Sequence, residues 1–160
     1  MKGNQLNPKR VYTVEHLELQ DGTVMEAKPL TIKRSRRAGK FLETINTGYP
    51  EYNEDGSPKL DKEGNQVFRR PTEDEVVELF MNIVLVGMEG QESCKKFFES
   101  TDEEPNKGRE LLEDALDERT MLEIVKITTG ADFLTPMELI QNQVREQIHA
   151  NGGQRSASQS

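Results

Sequence analysis

Residues 71–90, PTEDEVVELFMNIVLVGMEG, constrain the fold more than any other segment of this sequence. Thr72 and Glu75 form a capping box, and the acids of the first turn suit the positive end of a helix dipole. Apolar residues surround the helix on almost every side beyond Leu79, so it needs neighbours on those sides. The segment therefore predicts the central, most buried helix of the fold. Its predicted core stripe consists of Val76, Phe80, Ile83 and Gly87, joined by Val77 and Val84.

The remainder of the chain can build only a small core around that helix. Leu, Ile, Val and Phe make up 37 of the 160 residues, about 23%, just above the level of about 20% that is typical of wholly disordered chains. We therefore expect one folded domain, residues 11–134, between a flexible N-terminus at 1–10 and a disordered tail at 151–160. The predicted fold class is α+β and mainly α, with an N-terminal β-hairpin packed on a small bundle of about five helices.

The hairpin is predicted from VYTVEHLELQ and TVMEAKPL, two runs that flank an Asp-Gly pair. Gly22 accepts the positive φ of a tight turn, and the flanking runs are rich in Val, Leu, Tyr and Thr. We expect strands near 11–20 and 23–28. An isolated hairpin is marginally stable in water, so this one must pack on the helices.

A basic amphipathic helix is predicted over about 32–45, with Thr31 as its cap. The apolar stripe of this helix is Ala38, Leu42 and Ile45, with Phe41 beside it. The opposite face carries five basic residues: Lys33, Arg34, Arg36, Arg37 and Lys40. Like charges on one face repel each other, so the pattern predicts an acidic contact within the molecule or on a partner.

Residues 46–71 are dense in Gly, Pro, Asn and charged residues and predict a long solvated loop without regular structure. The EDG and KEG triplets in it could each turn a small flap. A calcium loop of the EF-hand type is excluded by its spacing, because Gln66 stands where a pattern starting at Asp61 needs Gly.

The C-terminal half predicts four further helices. QESCKKFFES is a short helix whose Cys94, Phe97 and Phe98 cover the central one. RELLEDALDERTMLEIVKITTG contains two helices, the second of which starts at a capping box of Thr120 and Glu123 and ends at Gly130. The last helix, residues 135–150, is amphipathic, and its stripe consists of Ile140, Val144 and Ile148. A stripe this narrow suits a helix that lies on a surface or on a partner.

The sequence predicts no enzyme, no metal site and no cofactor. Glu146 and His149 match one ExxH half of a di-iron site, but His16, the other histidine, falls in the predicted hairpin and cannot complete it. Phosphate loops of the GxxxxGK[ST] or GxGxxG type do not occur. Cys94 is the single cysteine, so no intrachain disulfide can form, and we expect a buried thiol in a reducing compartment.

Charge is divided unevenly along the chain. Residues 1–40 hold nine Lys and Arg against four Asp and Glu, whereas residues 41–160 hold 12 against 25. The acidic body would repel a phosphate backbone, and no aromatic residue interleaves the basic face to stack bases. The sequence contains no 18-residue apolar run and no Trp. We therefore expect a soluble cytosolic protein that binds neither nucleic acid nor membrane.

Three segments, taken in order, resemble the tail assembly chaperones of long-tailed bacteriophages of the siphovirus and myovirus type. They are VEHLELQDGTVMEAKPLTIKRSRR, EDEVVELFMNIVLVGM and LEDALDERTMLEIVKITTGADF. In that family a hairpin with a DG turn runs into a PLTI type segment and a basic helix, and a LEDLLD…T…KI…V.GG type segment closes the folded part. The resemblance covers roughly 11–45 and 72–134. The loop 46–71 and the Gln and Ser tail depart from the family pattern.

The resemblance implies a chaperone that acts in the cytoplasm of the infected host and leaves before the virion is complete. Its implied partners are the tape measure protein, the tail tube protein and a frameshifted longer form of itself. We expect partner contacts at Lys33, Arg34, Arg36, Arg37 and Lys40, and next at Ile140, Val144 and Ile148. Two alternatives stay open, another phage assembly factor such as a neck or head completion protein, and a small nucleic-acid-binding regulator.

Overall fold

The computed structural model describes residues 14–135, in which a two-stranded hairpin packs on a layer of helices. The α-helices are α1 (Ile32–Thr47), α2 (Glu73–Met88), α3 (Lys107–Ala115) and α4 (Glu118–Thr129), and a 3₁₀ helix spans Glu92–Phe98. The strands are β1 (Glu15–Glu18), β2 (Val24–Ala27), β3 (Tyr49–Pro50) and β4 (Phe68–Arg69). This arrangement confirms the predicted α+β, mainly helical fold class. The predicted terminal segments 1–10 and 151–160 and the predicted helix 135–150, except for its first residue, lie outside the described residues.

The central position of α2 is confirmed. Eight of its residues are buried between α1, α4 and the hairpin: Leu79, Phe80, Met81, Ile83, Val84, Val86, Gly87 and Met88. The capping box has the predicted geometry, since Glu75 N–H donates to Thr72 Oγ1 over 3.2 Å and Thr72 N–H donates to Glu75 Oε1 over 3.1 Å. Arg69 donates two bonds to the same carboxylate, and with the capping bonds lowers the pKa of Glu75 to about 2. Val77, predicted as core, is instead 42% exposed.

The hairpin pairs Glu15 with Ala27 and Glu18 with Val24 in antiparallel register. Both strands stop short of their predicted turn ends, at 20 and 23, because residues 19–23 form the turn, closed by Leu19 N–H donating to the Thr23 carbonyl over 2.7 Å. Gly22 has φ 85°, as the Asp-Gly pair predicted. Below the turn, Met25 and Ala27 point their side chains into the core.

A glutamine side chain fixes the outer edge of β2. Gln91 Oε1 accepts from Glu26 N–H over 2.7 Å, and Gln91 Nε2 donates to the Glu26 carbonyl over 2.8 Å. One amide thus forms the two bonds that a neighbouring strand residue would form. Ser93 Oγ also donates to the Val24 carbonyl over 2.7 Å. These contacts hold the hairpin to the turn that follows α2.

The 3₁₀ geometry of residues Glu92–Phe98 explains which of the predicted core residues in this segment are buried. Cys94 and Phe97 are buried, as expected, whereas Phe98 is 45% exposed, contrary to the prediction. With three residues per turn, positions three apart share one side of the helix, and Phe98 lies about 120° away from that side. Burial also raises the pKa of the Cys94 thiol.

The start of α4 was predicted wrongly, at Thr120 with Glu123. The N-cap is Asp117, whose carboxylate accepts from Thr120 N–H over 2.7 Å, and the helix begins at Glu118. Asp is a strong N-cap, and its charge adds a favourable interaction with the helix dipole. The predicted end at Gly130 is confirmed, with φ 80° in the left-handed region.

Residues 49–69 form a paired flap and not the structureless loop that was predicted. Three backbone bonds close a ring: Glu51 N–H donates to Val67 O, Lys59 N–H to Glu51 O, and Val67 N–H to Lys59 O, over 2.9, 3.0 and 2.8 Å. The predicted EDG and KEG turns are confirmed, with Gly56 at φ 85° and Gly64 at φ 84°. Pairing in a ring of three short segments leaves no alternating pattern in the sequence, which is why it was missed.

Two helical glycines give opposite expectations for stability. A Cβ on Gly108 would lie 2.4 Å from the Phe97 carbonyl oxygen and 2.9 Å from that of Glu99, whereas a Cβ on Gly39 would meet nothing within 4 Å. Gly108→Ala should lower the free energy of unfolding by about 3 kcal/mol. Gly39→Ala should raise it by about 0.5–1 kcal/mol. Urea denaturation followed by circular dichroism measures both, and equal midpoints for the two variants would contradict the packing around Gly108.

Candidate docking surfaces

The first candidate surface is the basic face of α1. Thr31 caps the helix through Oγ1, which accepts from Arg34 N–H over 3.4 Å, as predicted. Ala38 is buried, and Phe41, Leu42 and Ile45 pack against the core from its edge. The five predicted contact residues therefore lie on the outward side of α1, but the structure divides them into two groups.

Arg34 and Arg37 contact an acid of the same molecule. Arg37 donates through Nη1 and Nη2 to the two carboxylate oxygens of Glu89, over 2.7 and 2.5 Å, and Arg34 Nε lies 3.9 Å from Glu89 Oε2. Glu89 directly follows α2, where the negative end of the helix dipole disfavours a carboxylate. The Arg37 guanidinium compensates for this and lowers the pKa of Glu89 below its ordinary value. The predicted acidic contact is thus, in part, intramolecular.

Lys33, Arg36 and Lys40 form what we call the basic stripe. All three are exposed, and none has an ion-pair partner among residues 14–135. At about 100° per residue their side chains fall within an arc of about 60°. The stripe is therefore a compact positive surface that remains open to an acidic partner.

The second candidate surface is a groove whose position and residues the sequence did not predict. It has a volume of about 1230 Å³, opens to solvent, and lies between the first half of α2 and the start of α4. Apolar side chains from α1, α2, α4 and the segment after α4 form its floor, among them Ile45, Val76, Val77, Phe80, Met121 and Phe133. Phe133 packs edge-on against Phe80, with ring centroids 4.9 Å apart. The exposed Val77 faces this groove, which explains why it is not core.

Six carboxylates border this floor, and we call the whole feature the acidic groove. They are Glu73, Asp74, Glu78, Glu113, Asp117 and Glu118. No Lys, Arg or His of the described residues lines it. Glu73, Asp74, Glu113 and Glu118 are exposed and form no ion pair within residues 14–135.

The other two carboxylates of the border have local partners. Arg109 forms an ion pair with Glu78 and donates to the Glu78 carbonyl over 2.9 Å and to Asn82 Oδ1 over 2.8 Å. Asp117 caps α4, and its pKa is lowered by the Thr120 N–H, the Gln20 amide and the nearby charge of Arg119. These two groups are part of the structure of the groove wall, whereas the first four are available to a ligand.

The remaining predicted contact residues, Ile140, Val144 and Ile148, lie outside the described residues. The described chain ends close to the groove, because Phe133 lines it and residue 135 is the last one described. Sequence reasoning missed the groove because Val76, Val77 and Phe80 have the same helical spacing as core residues. The sequence contains a single local indication of the groove, because Val77 is next to Glu78 and close to the acids of the first turn of α2.

Residues 14–135 contain no group of three or more His, Cys, Asp or Glu side chains arranged to hold a metal ion. None of the helices in the same range has both the length and the apolar character that crossing a membrane requires.

Comparison with known proteins gave no relative. No family model matches the chain, and neither a curated protein nor a solved structure matches it.

The Arg37–Glu89 pair predicts a pH-dependent stability difference between two neighbouring arginines. Arg37→Ala should lower the urea midpoint at pH 7, whereas Arg36→Ala should leave it nearly unchanged. The folded-state pKa of Glu89 is depressed from 4.5, so the pair stabilises fully above about pH 4.5 and loses its contribution as the pH falls through the folded value. The two midpoints should therefore converge in acid. A difference that stays constant down to pH 2 would show that Arg37 acts through packing alone.

Proposed function

We propose that this protein is a tail assembly chaperone of a long-tailed bacteriophage. It binds the tape measure protein, keeps that protein soluble, and helps to recruit tail tube subunits while the tail is assembled. One observation carries the proposal, an open apolar groove between helices in a small protein whose predicted chemistry is binding. The confirmed order of hairpin, basic helix, central helix and closing helix agrees with the resemblance seen in the sequence.

The groove is suited to cover the apolar surface of a tape measure protein. A tape measure protein is a long helix, and its apolar stripes would associate with one another before the tail tube encloses them. A groove lined by Val76, Val77 and Phe80 can cover such a stripe in the helix-in-groove mode, with anchors at i, i+3, i+4 and i+7. Covering each stripe removes apolar surface from water and prevents its self-association.

The basic stripe supplies a second, electrostatic contact. Lys33, Arg36 and Lys40 would contact acidic stretches of the tape measure protein. Arg34 and Arg37 bind Glu89 and would add positive charge beside these three residues. Exposed charges of this kind speed encounter more than they strengthen a complex. Weak and salt-sensitive contacts also suit a chaperone, because the client must be released when the tube forms.

The proposed place of action is the cytoplasm of the infected host. A longer frameshifted form, if the gene makes one, would share this folded domain and add a segment that recruits tail tube subunits. The short form would then act on the tape measure protein by binding alone.

Co-expression tests the basic stripe. The triple variant Lys33→Glu, Arg36→Glu, Lys40→Glu should reduce the soluble tape measure protein that co-purifies with it by at least about tenfold, because attraction becomes repulsion. The matched control, Lys62→Glu, Arg70→Glu, Lys95→Glu, makes the same change in net charge elsewhere on the surface and should behave as the native protein. Circular dichroism of both variants should be unchanged. Equal capture by the two triple variants would remove the stripe from the interface.

Mass spectrometry of purified virions separates a chaperone from a structural phage protein. A chaperone that leaves should be absent from the particles and present in the lysate of infected cells, bound to tape measure protein. A neck or head completion protein would remain in the particles at a fixed copy number. Its recovery from intact virions would overturn the proposed function.

A further inference from the structure

We infer that the acidic groove selects amphipathic helices whose apolar stripe is flanked by Lys or Arg. The inference depends on the proposed function in one respect only, that the natural occupant is a segment of the tape measure protein. The selection itself follows from the shape and charge of the groove.

The shape of the groove favours a helix. Its floor is made of apolar side chains from several helices, and it opens to solvent, with Val77 42% exposed. Small-molecule sites are more enclosed and typically have volumes of about 300–1,000 Å³. An open floor that exposes Val77 and parts of Val76 and Phe133 instead offers a surface on which a helix can place residues spaced three and four apart.

The charge of the groove determines which kind of amphipathic helix it binds. Acids at the starts of α2 and α4 have a structural role, because the N-terminus of a helix carries a partial positive charge of about one half. Two such dipoles offset about one of the six carboxylates, and Arg109 offsets about one more through its ion pair with Glu78. About four negative charges remain around an apolar floor. A helix that inserts its stripe there brings its flanking residues against these carboxylates, so Lys and Arg are favoured and Asp and Glu are repelled.

The chain's own segments fit this charge less well. Residues 136–150 carry Glu138 and Glu146 against one arginine, Arg145, so the acidic border does not favour them. A second copy of the folded domain would bring the same acidic border with it. A basic amphipathic helix from another protein is the occupant that both the floor and the border favour.

Two synthetic peptides of about 18 residues, about 27 Å long as helices, test the selection on the full-length protein. Both carry the same Leu and Ile stripe, and the flanking positions are Lys in one peptide and Glu in the other. Fluorescence anisotropy at low salt should show the Lys peptide binding at least about tenfold more tightly, with a preference that shrinks as salt is added.

Neutral variants locate the binding. Replacing the four carboxylates without ion pairs, as Glu73→Gln, Asp74→Asn, Glu113→Gln and Glu118→Gln, should remove most of the preference for the Lys peptide. The matched control Glu54→Gln, Glu92→Gln, Asp102→Asn, Glu103→Gln removes the same charge from exposed acids outside the groove and should keep the preference. Val77→Asp should abolish binding of both peptides, and Val77→Ser, which is milder for folding, should weaken both equally.

Several outcomes would overturn the inference. Equal affinity for the two peptides, no binding of either, or equal effects of the groove and control variants would remove charge selection from this groove. Binding that appears only in the variant Ile140→Asp, Val144→Asp, Ile148→Asp would assign the groove to the chain's own tail. A concentration-dependent dimer that Val77→Asp dissociates in sedimentation experiments would assign it to a second copy. Peptide selection without tape measure capture would reject the proposed function and leave the groove assignment intact.

Discussion

The need to cover α2 with apolar surface is the constraint on which the rest of the structure depends. The helix is too apolar to remain in water, and the chain has few other apolar residues with which to surround it. Packing of α1, α4 and β2 covers its later turns, where Ile83, Val84 and Met88 are fully buried. This cover ends at the first two turns, which leave Val76 and Val77 in an open groove. The groove is therefore a consequence of a small core that is concentrated in one helix, and not an addition to it.

Polar contacts then fix the elements that surround α2. The Arg37–Glu89 pair holds the first half of α1 beside the end of α2, and the Arg69–Glu75 pair holds the base of the flap beside its start. The side-chain amide of Gln91 binds the edge of β2 through two hydrogen bonds to the backbone of Glu26. Each contact lies at an end of α2, where backbone groups or dipoles are unsatisfied, so the same residues satisfy the helix and position its neighbours. This accounts for the uneven use of the basic face of α1, where two arginines are structural and three cations remain available.

The sequence predicted elements whose determinants are local. The Thr72 and Glu75 capping box, the Thr31 cap, the turn glycine Gly22 and the end of α4 at Gly130 all depend on a few adjacent residues, and the structure agrees with each. Errors arose where two local signals competed or where tertiary contacts decide. Asp117 and Thr120 are both good caps, and Asp117 is selected because its second oxygen also accepts from Gln20, 97 residues away. The burial of Phe97 and not Phe98 depends on a 3₁₀ geometry that apolar spacing does not reveal. The position of the groove could not be predicted, because Val77 differs from a core residue only in the absence of a neighbour over it.

A protein that carries both an acidic groove and a basic stripe could associate with further copies of itself. The stripe of one copy attracts the border of another, but this contact lacks the apolar contribution that the groove offers. The apolar side of α1 packs against the core of its own molecule through Ala38, Leu42 and Ile45, so α1 cannot insert into the groove of a neighbour without unfolding. Self-association through these surfaces would therefore rest on exposed charges alone, which are weak and screened by salt. A helix from another protein that presents apolar anchors together with basic flanks would gain both contributions at once. The burial of α1 is thus what allows the two charged surfaces to coexist on one small protein while the groove stays open.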